Sequence, residues 1–188
     1  EIFVVEVAST VNELLLANYM LKNSKNKDEK LAIINHILDL YKATLYRQTM
    51  FAEFEKETHN LREKGEVLTS DLLSNTYYNL VKKYFGPNVL CDDLIRYEWA
   101  RIPHFYSNFY VYKYATGISA ASYIVDGILN NKEGALENYM KFLKSGGSMY
   151  PLDELKIAGV NLNSKSVILS AIKTFEKYLK EFKDIYNS

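Results

Sequence analysis

The 188 residues are enough for one domain with a sizeable core and too few for two full ones. Lysine plus arginine equals aspartate plus glutamate at 23 each, so the net charge is zero and the basic excess that a dedicated nucleic-acid binder needs is missing. Hydrophobic residues at 48% and charged residues at 24% describe a globular chain rather than a disordered one. No apolar run approaches the ~18 residues of a membrane span, and no signal peptide is visible. The lone Cys91 excludes an internal disulfide framework and fits a reducing, cytoplasmic compartment. No nucleic-acid or membrane partner is expected.

The chain enters at Glu1 in mid-pattern, "EIFVVEVASTVNELLLANYML", without a cap or a polar lead-in, which reads as a piece of a larger chain. Segment 2–23 is apolar at most positions and predicts a deeply buried helix that carries Glu6, Asn12 and Glu13. A polar loop, "NSKNKDEK", follows. Residues 29–58 repeat apolar side chains at helical spacing (Ile33, Ile37, Leu40, Leu45, then Phe51 and Phe54) and predict one long helix. Gly65 marks a break, and Thr69 or Ser70 is placed to cap a helix over 70–85. "GPNVLCDD" predicts a turn. Residues 94–103 are expected to be irregular or extended, because Pro103 disfavours helix at Ile102. Helices are then predicted over about 105–130 and 133–145, from Pro151 to a stop at Gly159, and over 164–186. No period-2 strand and no internal repeat stands out, so the fold class is all-α and the chain reads as a single all-helical unit.

Three places could carry chemistry. In "IPHFYSNFYVYKYATG" four tyrosines and a histidine fall within sixteen residues. A helix from about 105 would sort them into two stripes: Phe105, Phe109, Tyr112 and Thr116, and Tyr106, Tyr110, Tyr114, Gly117 and Ala121. A tyrosine hydroxyl donates without titrating near neutrality, and an imidazole beside it can donate to the same oxyanion. The plain alternative is an aromatic packing face. Second, Glu6, Ser9, Thr10 and Glu13 share one helical face in apolar surroundings, where a carboxylate needs a partner or a metal. The alternative there is pairing with cations from neighbouring helices. Third, Gly146 and Gly147 in "KSGGSMYPLDELKIAG" form either a hinge or a loop that touches an extended ligand. His36 reads as a core or boundary residue and His59 as a surface one.

Four segments in this order, "FVVEVASTVNE", "FAEFEKETHNLREKGEVLTSDLL", "RIPHFYSNFYVYKYATGISAA" and "FLKSGGSMYPLDELKIAGV", resemble the C-terminal part of the oligoendopeptidase F family of thimet-oligopeptidase-like zinc peptidases. The resemblance implies a gluzincin site with two histidines and a glutamate in HExxH, followed by a third zinc ligand. Glu6 matches that third ligand, and Glu13 matches an acid that supports it. The sequence holds no HExxH, so the resemblance places that motif upstream of Glu1 and implies that this stretch alone binds no zinc stably and is inactive. His104 matches the histidine that binds the substrate carbonyl. Tyr114, with Tyr110 one turn behind it, is favoured for the transition state, while Tyr106 and Tyr112 stay open as substrate-binding alternatives. The implied partners are short peptide substrates and the upstream part of the same protein. An uncovered face on 2–23 would favour self-association. A reading from another class remains, a non-catalytic helical module that binds peptides or acts as a scaffold.

Overall fold

The computed structural model describes residues 2–188, and no strand occurs among them. The all-α expectation therefore holds. The elements are α1 (Ile2–Asn23), α2 (Lys27–Tyr41), a π-helical segment (Lys42–Tyr46), α3 (Arg47–Glu63), α4 (Ser70–Phe85), two 3-10 segments (Asp93–Arg101 and Pro103–Tyr106), α5 (Tyr112–Leu129), α6 (Ala135–Ser145), α7 (Pro151–Ile157) and α8 (Lys165–Asn187). None of these helices is long and apolar enough to cross a membrane.

The helix starts obey local capping chemistry. Asn26 accepts the Glu29 N–H at 2.9 Å, Thr69 accepts the Leu72 N–H at 3.2 Å, and Ser164 accepts the Ser166 N–H at 3.3 Å. Each satisfies a donor that the first helical turn leaves orphaned, worth about 1 kcal/mol. Gly65 and Gly159 take φ values of +88° and +79°, which stop α3 and α7 in a region closed to most side chains.

The packing falls into two compact units. The first comprises Glu1–Leu45 and Thr116–Ser188. In it α1 packs on α2 and α7, α2 on α8, and α6 on α7. Its buried side chains include Val7, Leu14, Ile34, Ile37, Tyr41, Ile118 and Leu155. Three buried hydroxyls tie helices together: Tyr41 to Ser122 at 2.6 Å, Tyr178 to Asn18 at 2.6 Å, and Tyr139 to the Ala8 carbonyl at 3.2 Å. Ser119, Ala120, Ala121 and Ser122 are all buried on α5, as small residues at a close helix approach require.

The second unit, Tyr46–Ala115, is an aromatic wedge. α3 packs on α4, and α4 on the Asp93–Arg101 segment. Met50, Phe51, Phe54, Tyr77, Val81, Ile102 and Val111 form its core. Phe54 meets Tyr77 edge-on with ring centroids 5.3 Å apart, and Phe105 lies 5.7 Å from Phe51 and 5.3 Å from Phe54. Pairs of this kind add about 0.5–1.5 kcal/mol beyond the area they bury.

Three expectations change. The long helix over 29–58 starts earlier, ends later, and is interrupted at Lys42–Tyr46 by a π turn. That wide turn admits an extra residue, so the buried stripe steps from Leu45 to Met50, five residues on, instead of three or four. Residues 93–101 are 3-10 helix rather than irregular, capped by Asp92, which accepts the Leu94 N–H at 2.7 Å. The helix expected from 105 begins only at Tyr112. Pro103 opens a short 3-10 turn that Phe105 pins to α3, and Phe109 then takes a left-handed φ of +54°, which no α-helix accommodates. The two tyrosine stripes drawn from a continuous helix therefore do not exist.

Candidate functional site

The chain nevertheless gathers part of the tyrosine stretch by another route. His104 closes one 3-10 turn, with its carbonyl accepting the Ser107 N–H at 3.0 Å. The Ser107 carbonyl accepts the Tyr110 N–H at 3.2 Å, which turns the chain back on itself before α5 begins. This reversal sets the Tyr110 ring 5.6 Å from the His104 ring. Tyr114, in the first turn of α5, meets His104 edge-on at 6.0 Å and Tyr110 at 5.8 Å. The Tyr114 hydroxyl and His104 Nε2 stand 3.5 Å apart. That is long for a direct hydrogen bond and suits two groups that share a third oxygen between them.

Lys113 is the member that the sequence did not reveal. It is buried, and its ammonium lies 3.4 Å over the Tyr110 ring and 5.4 Å from the centre of the Tyr114 ring. A cation on the ring face is held by the ring quadrupole. It also adds positive potential behind the hydroxyls. The only signal in the sequence is its place between Tyr112 and Tyr114, where an exposed lysine is the ordinary reading.

Tyr106 and Tyr112 are the more exposed tyrosines of the stretch. Tyr106 is 88% exposed, and the Tyr112 side chain is exposed as well. His104 itself is open to solvent, while Tyr110 and Tyr114 are half-buried. The cluster is thus a polar edge on a braced aromatic base, reachable by a ligand.

Two further acids of this unit have defined environments. Glu53 receives Lys83 at 2.5 Å and the Tyr84 hydroxyl at 2.9 Å, and the Lys83 hydrogen bond holds its carboxyl below the usual range. Glu55 is 4% exposed, and burial pushes its carboxyl upward. His59, expected at the surface, is half-buried with its ring 4.6 Å from that of Phe109. A separate apolar cavity of about 250 Å³ lies beside Cys91, between Met50, Val81, Phe85 and Ile95. Neither His104 nor a tyrosine lines it, so it is not this site.

In the first unit Glu6 is half-buried on α1, and its carbonyl accepts the Ser9 hydroxyl at 3.0 Å. Glu13, about two turns further on, meets His36 Nε2 of α2 at 3.2 Å. His36 is 60% exposed at its side chain, so it is a surface partner of Glu13 rather than a core residue. Among the described residues no three His, Cys, Asp or Glu side chains gather as a metal site. One carboxylate falls short of the three protein ligands of a catalytic zinc. These residues alone do not fit that metal.

Residues 1–174 match the family model of peptidase family M3. The chain is 50% identical over 184 residues to oligopeptidase PepF of Bacillus subtilis, covering 98% of this chain and 28% of that protein. It is 46% identical over 184 residues to the chromosomal oligoendopeptidase F of Lactococcus lactis, with 98% and 31% covered. A crystal structure of oligoendopeptidase-F from Enterococcus faecium superposes with a TM-score of 0.95 at 46% identity, over 100% of this chain and 36% of that one. The chain thus spans about a third of the length of the relatives it matches. On this match, with the shared all-α fold behind it, the chain belongs to peptidase family M3.

Proposed function

We propose that this chain forms the carbonyl-binding part of a zinc-dependent oligopeptidase that hydrolyses internal bonds of short peptides. The observation that carries the reading is the convergence of His104, Tyr110 and Tyr114 on one solvent-open edge. A peptide carbonyl oxygen lodged between Tyr114 Oη and His104 Nε2 accepts from the hydroxyl and, in the tautomer protonated at Nε2, from the ring. As the carbon becomes tetrahedral its oxygen gains charge, and both hydrogen bonds strengthen with it. Tyr110 braces the imidazole, and the Lys113 ammonium over the Tyr110 ring favours negative charge nearby. Each donor of this kind is worth about 3 kcal/mol of transition-state stabilisation.

Glu6 is assigned as one zinc ligand, with Glu13 held near it by His36 and the remaining ligands lying outside these 188 residues. Zinc, when bound, supplies the Lewis acid that activates water and polarises the carbonyl. A cytoplasmic setting is inferred from the lone Cys91. The apolar side chains that α1 leaves exposed, Val5, Leu16 and Met20, are assigned to contact with the rest of the same protein.

Zinc content and cleavage of a quenched fluorescent peptide test the reading, measured for the 188 residues alone and for the complete protein that contains them. Zinc and turnover are expected only in the complete protein, and Glu6→Gln there should lower zinc content. Stoichiometric zinc with cleavage by the 188 residues alone would overturn the ligand assignment. A complete protein that binds peptides without cutting them would establish the non-catalytic module instead.

A further inference from the structure

Among the described residues, Phe109 and Asn131 are the non-glycine positions with a left-handed φ, at +54° and +51°. An asparagine visits that region readily, because its short polar side chain bonds locally. A phenylalanine keeps such a backbone where its surroundings hold it there. Phe109 is 52% exposed, so burial in the core is not what holds it.

The contacts that remain run along α3. Phe105 sets its ring 5.3 Å from that of Phe54. Four residues later Phe109 sets its ring 4.6 Å from that of His59, with the two planes inclined by 34°. His59 follows Phe54 by five residues on the same helix, so the two ring contacts strap residues 105–109 along α3. Just beyond, Val111 enters the core and is fully buried. Phe109 thus lies inside a turn tied at both ends, which the Ser107 carbonyl closes by accepting the Tyr110 N–H at 3.2 Å. The direction in which the backbone leaves Phe109 decides where the next ring points. That ring is Tyr110, 5.6 Å from His104 and 5.8 Å from Tyr114.

We propose that His59 is a positioning residue, whose ring grips that of Phe109 and keeps the Ser107–Val111 turn on the left-handed course that sets Tyr110 against His104 and Tyr114. The consequence for turnover rests on the peptidase reading above, but the grip itself does not. His59 acts through Phe109 and is assigned no contact with the substrate. The turn uses the face of the ring, so another flat ring serves in place of the imidazole.

Hydrogen exchange followed by mass spectrometry on the complete protein reads the grip, through fragments that span Ser107–Val111. Fragments of α4 measure general opening of the unit. His59→Ala should lower protection of the turn by roughly three- to tenfold, the worth of one ring pair, with α4 unmoved. His59→Phe should restore it. Phe109→Gly removes the ring and the backbone strain together, so adding His59→Ala to it should change nothing further. Protection in His59→Ala equal to wild type overturns the proposal. So does an equal loss in α4, a failure of His59→Phe to restore the turn, or an undiminished effect of His59→Ala beside Phe109→Gly. Should a His59 variant fail to fold, Phe109→Ala beside Phe109→Gly decides. Alanine keeps the strain and loses the ring, so its turn should be the less protected, and equal protection overturns the proposal.

In the same protein, His59→Ala should lower kcat by the share of molecules whose turn the exchange shows open, with KM within about twofold. A kcat that ignores a turn shown to be open leaves the grip standing and removes the cluster from the peptidase reading.

Discussion

Glu98 should be the most sensitive single residue beneath the candidate site. It lies within the 3-10 segment that leads into Pro103 and His104, and its side chain is 8% exposed. Oε2 accepts the hydroxyl of the fully buried Tyr77 at 2.6 Å, while Oε1 accepts from both Arg47 and Arg101. Both arginines reach solvent, with side-chain exposures of 42% and 72%, so each ion pair is discounted to under about 1 kcal/mol. The Tyr77 bond is different. A buried hydroxyl on a charged acceptor is worth about 1.5–3 kcal/mol, and the hydroxyl has nowhere else to donate if the carboxylate goes. Glu98→Gln keeps one oxygen and turns the other into a donor that faces either Tyr77 or the arginines. The expected loss is about 2–3 kcal/mol, or roughly 4–12 °C in Tm for a chain of this size. Trp99, the one tryptophan, donates to Ser74 at 3.1 Å in the same segment, so its fluorescence during urea unfolding reports on this unit. A cycle with Tyr77→Phe should give a coupling of about 1–2 kcal/mol. A loss under about 0.5 kcal/mol without coupling would show that solvent replaces these contacts, and the reasoning would be refuted.

Other outcomes follow from the same contacts. Tyr41 has its hydroxyl pKa pushed up to about 12, chiefly by burial, so its ultraviolet absorbance should not titrate with the ordinary tyrosines near pH ~10. Tyr41→Phe should cost about 1 kcal/mol by denaturant unfolding, because Ser122 keeps its bond to the Ile118 carbonyl. Glu53, held low by Lys83, contributes stability that is present above the unfolded carboxyl pKa and lost as pH falls through its folded value. Lys83→Met should bring the Glu53 titration, followed by carbon NMR, back toward the free value. Glu55 has the opposite sign: its raised pKa favours the fold at low pH, and that contribution disappears as pH rises through the folded value. Glu55→Gln should flatten that part of the stability profile.

Helices with caps and regular apolar spacing were readable directly. Thr69 announces α4, and Pro151 and Gly159 bracket α7 and its stop. What the pattern could not show were departures from one helical period. The apolar residues on either side of the π turn still look like a single stripe, since a one-residue slip is within the tolerance of such patterns. The helix expected from 105 failed because ring packing of Phe105 on α3 and the left-handed Phe109 are tertiary choices. Tyr110 and Tyr114 were still singled out, but for the wrong geometric reason: a turn brings them to His104, not a shared helix face. Lys113 and Glu55 were missed because charged residues are read as solvated by default, and here both are buried. His36 was misread in the opposite direction. Its helix is apolar, but its own position faces outward to Glu13.

The measurement that bears most directly on the account is the steady-state cleavage of a quenched fluorescent peptide by the complete protein carrying Tyr114→Phe, beside Tyr112→Phe. Removing the Tyr114 hydroxyl from its place 3.5 Å from His104 Nε2 should lower kcat by about a hundredfold, with KM within about twofold. Tyr112→Phe should stay near wild type. A loss at Tyr112 with none at Tyr114, or a change confined to KM, would contradict the assignment of this cluster to the transition state.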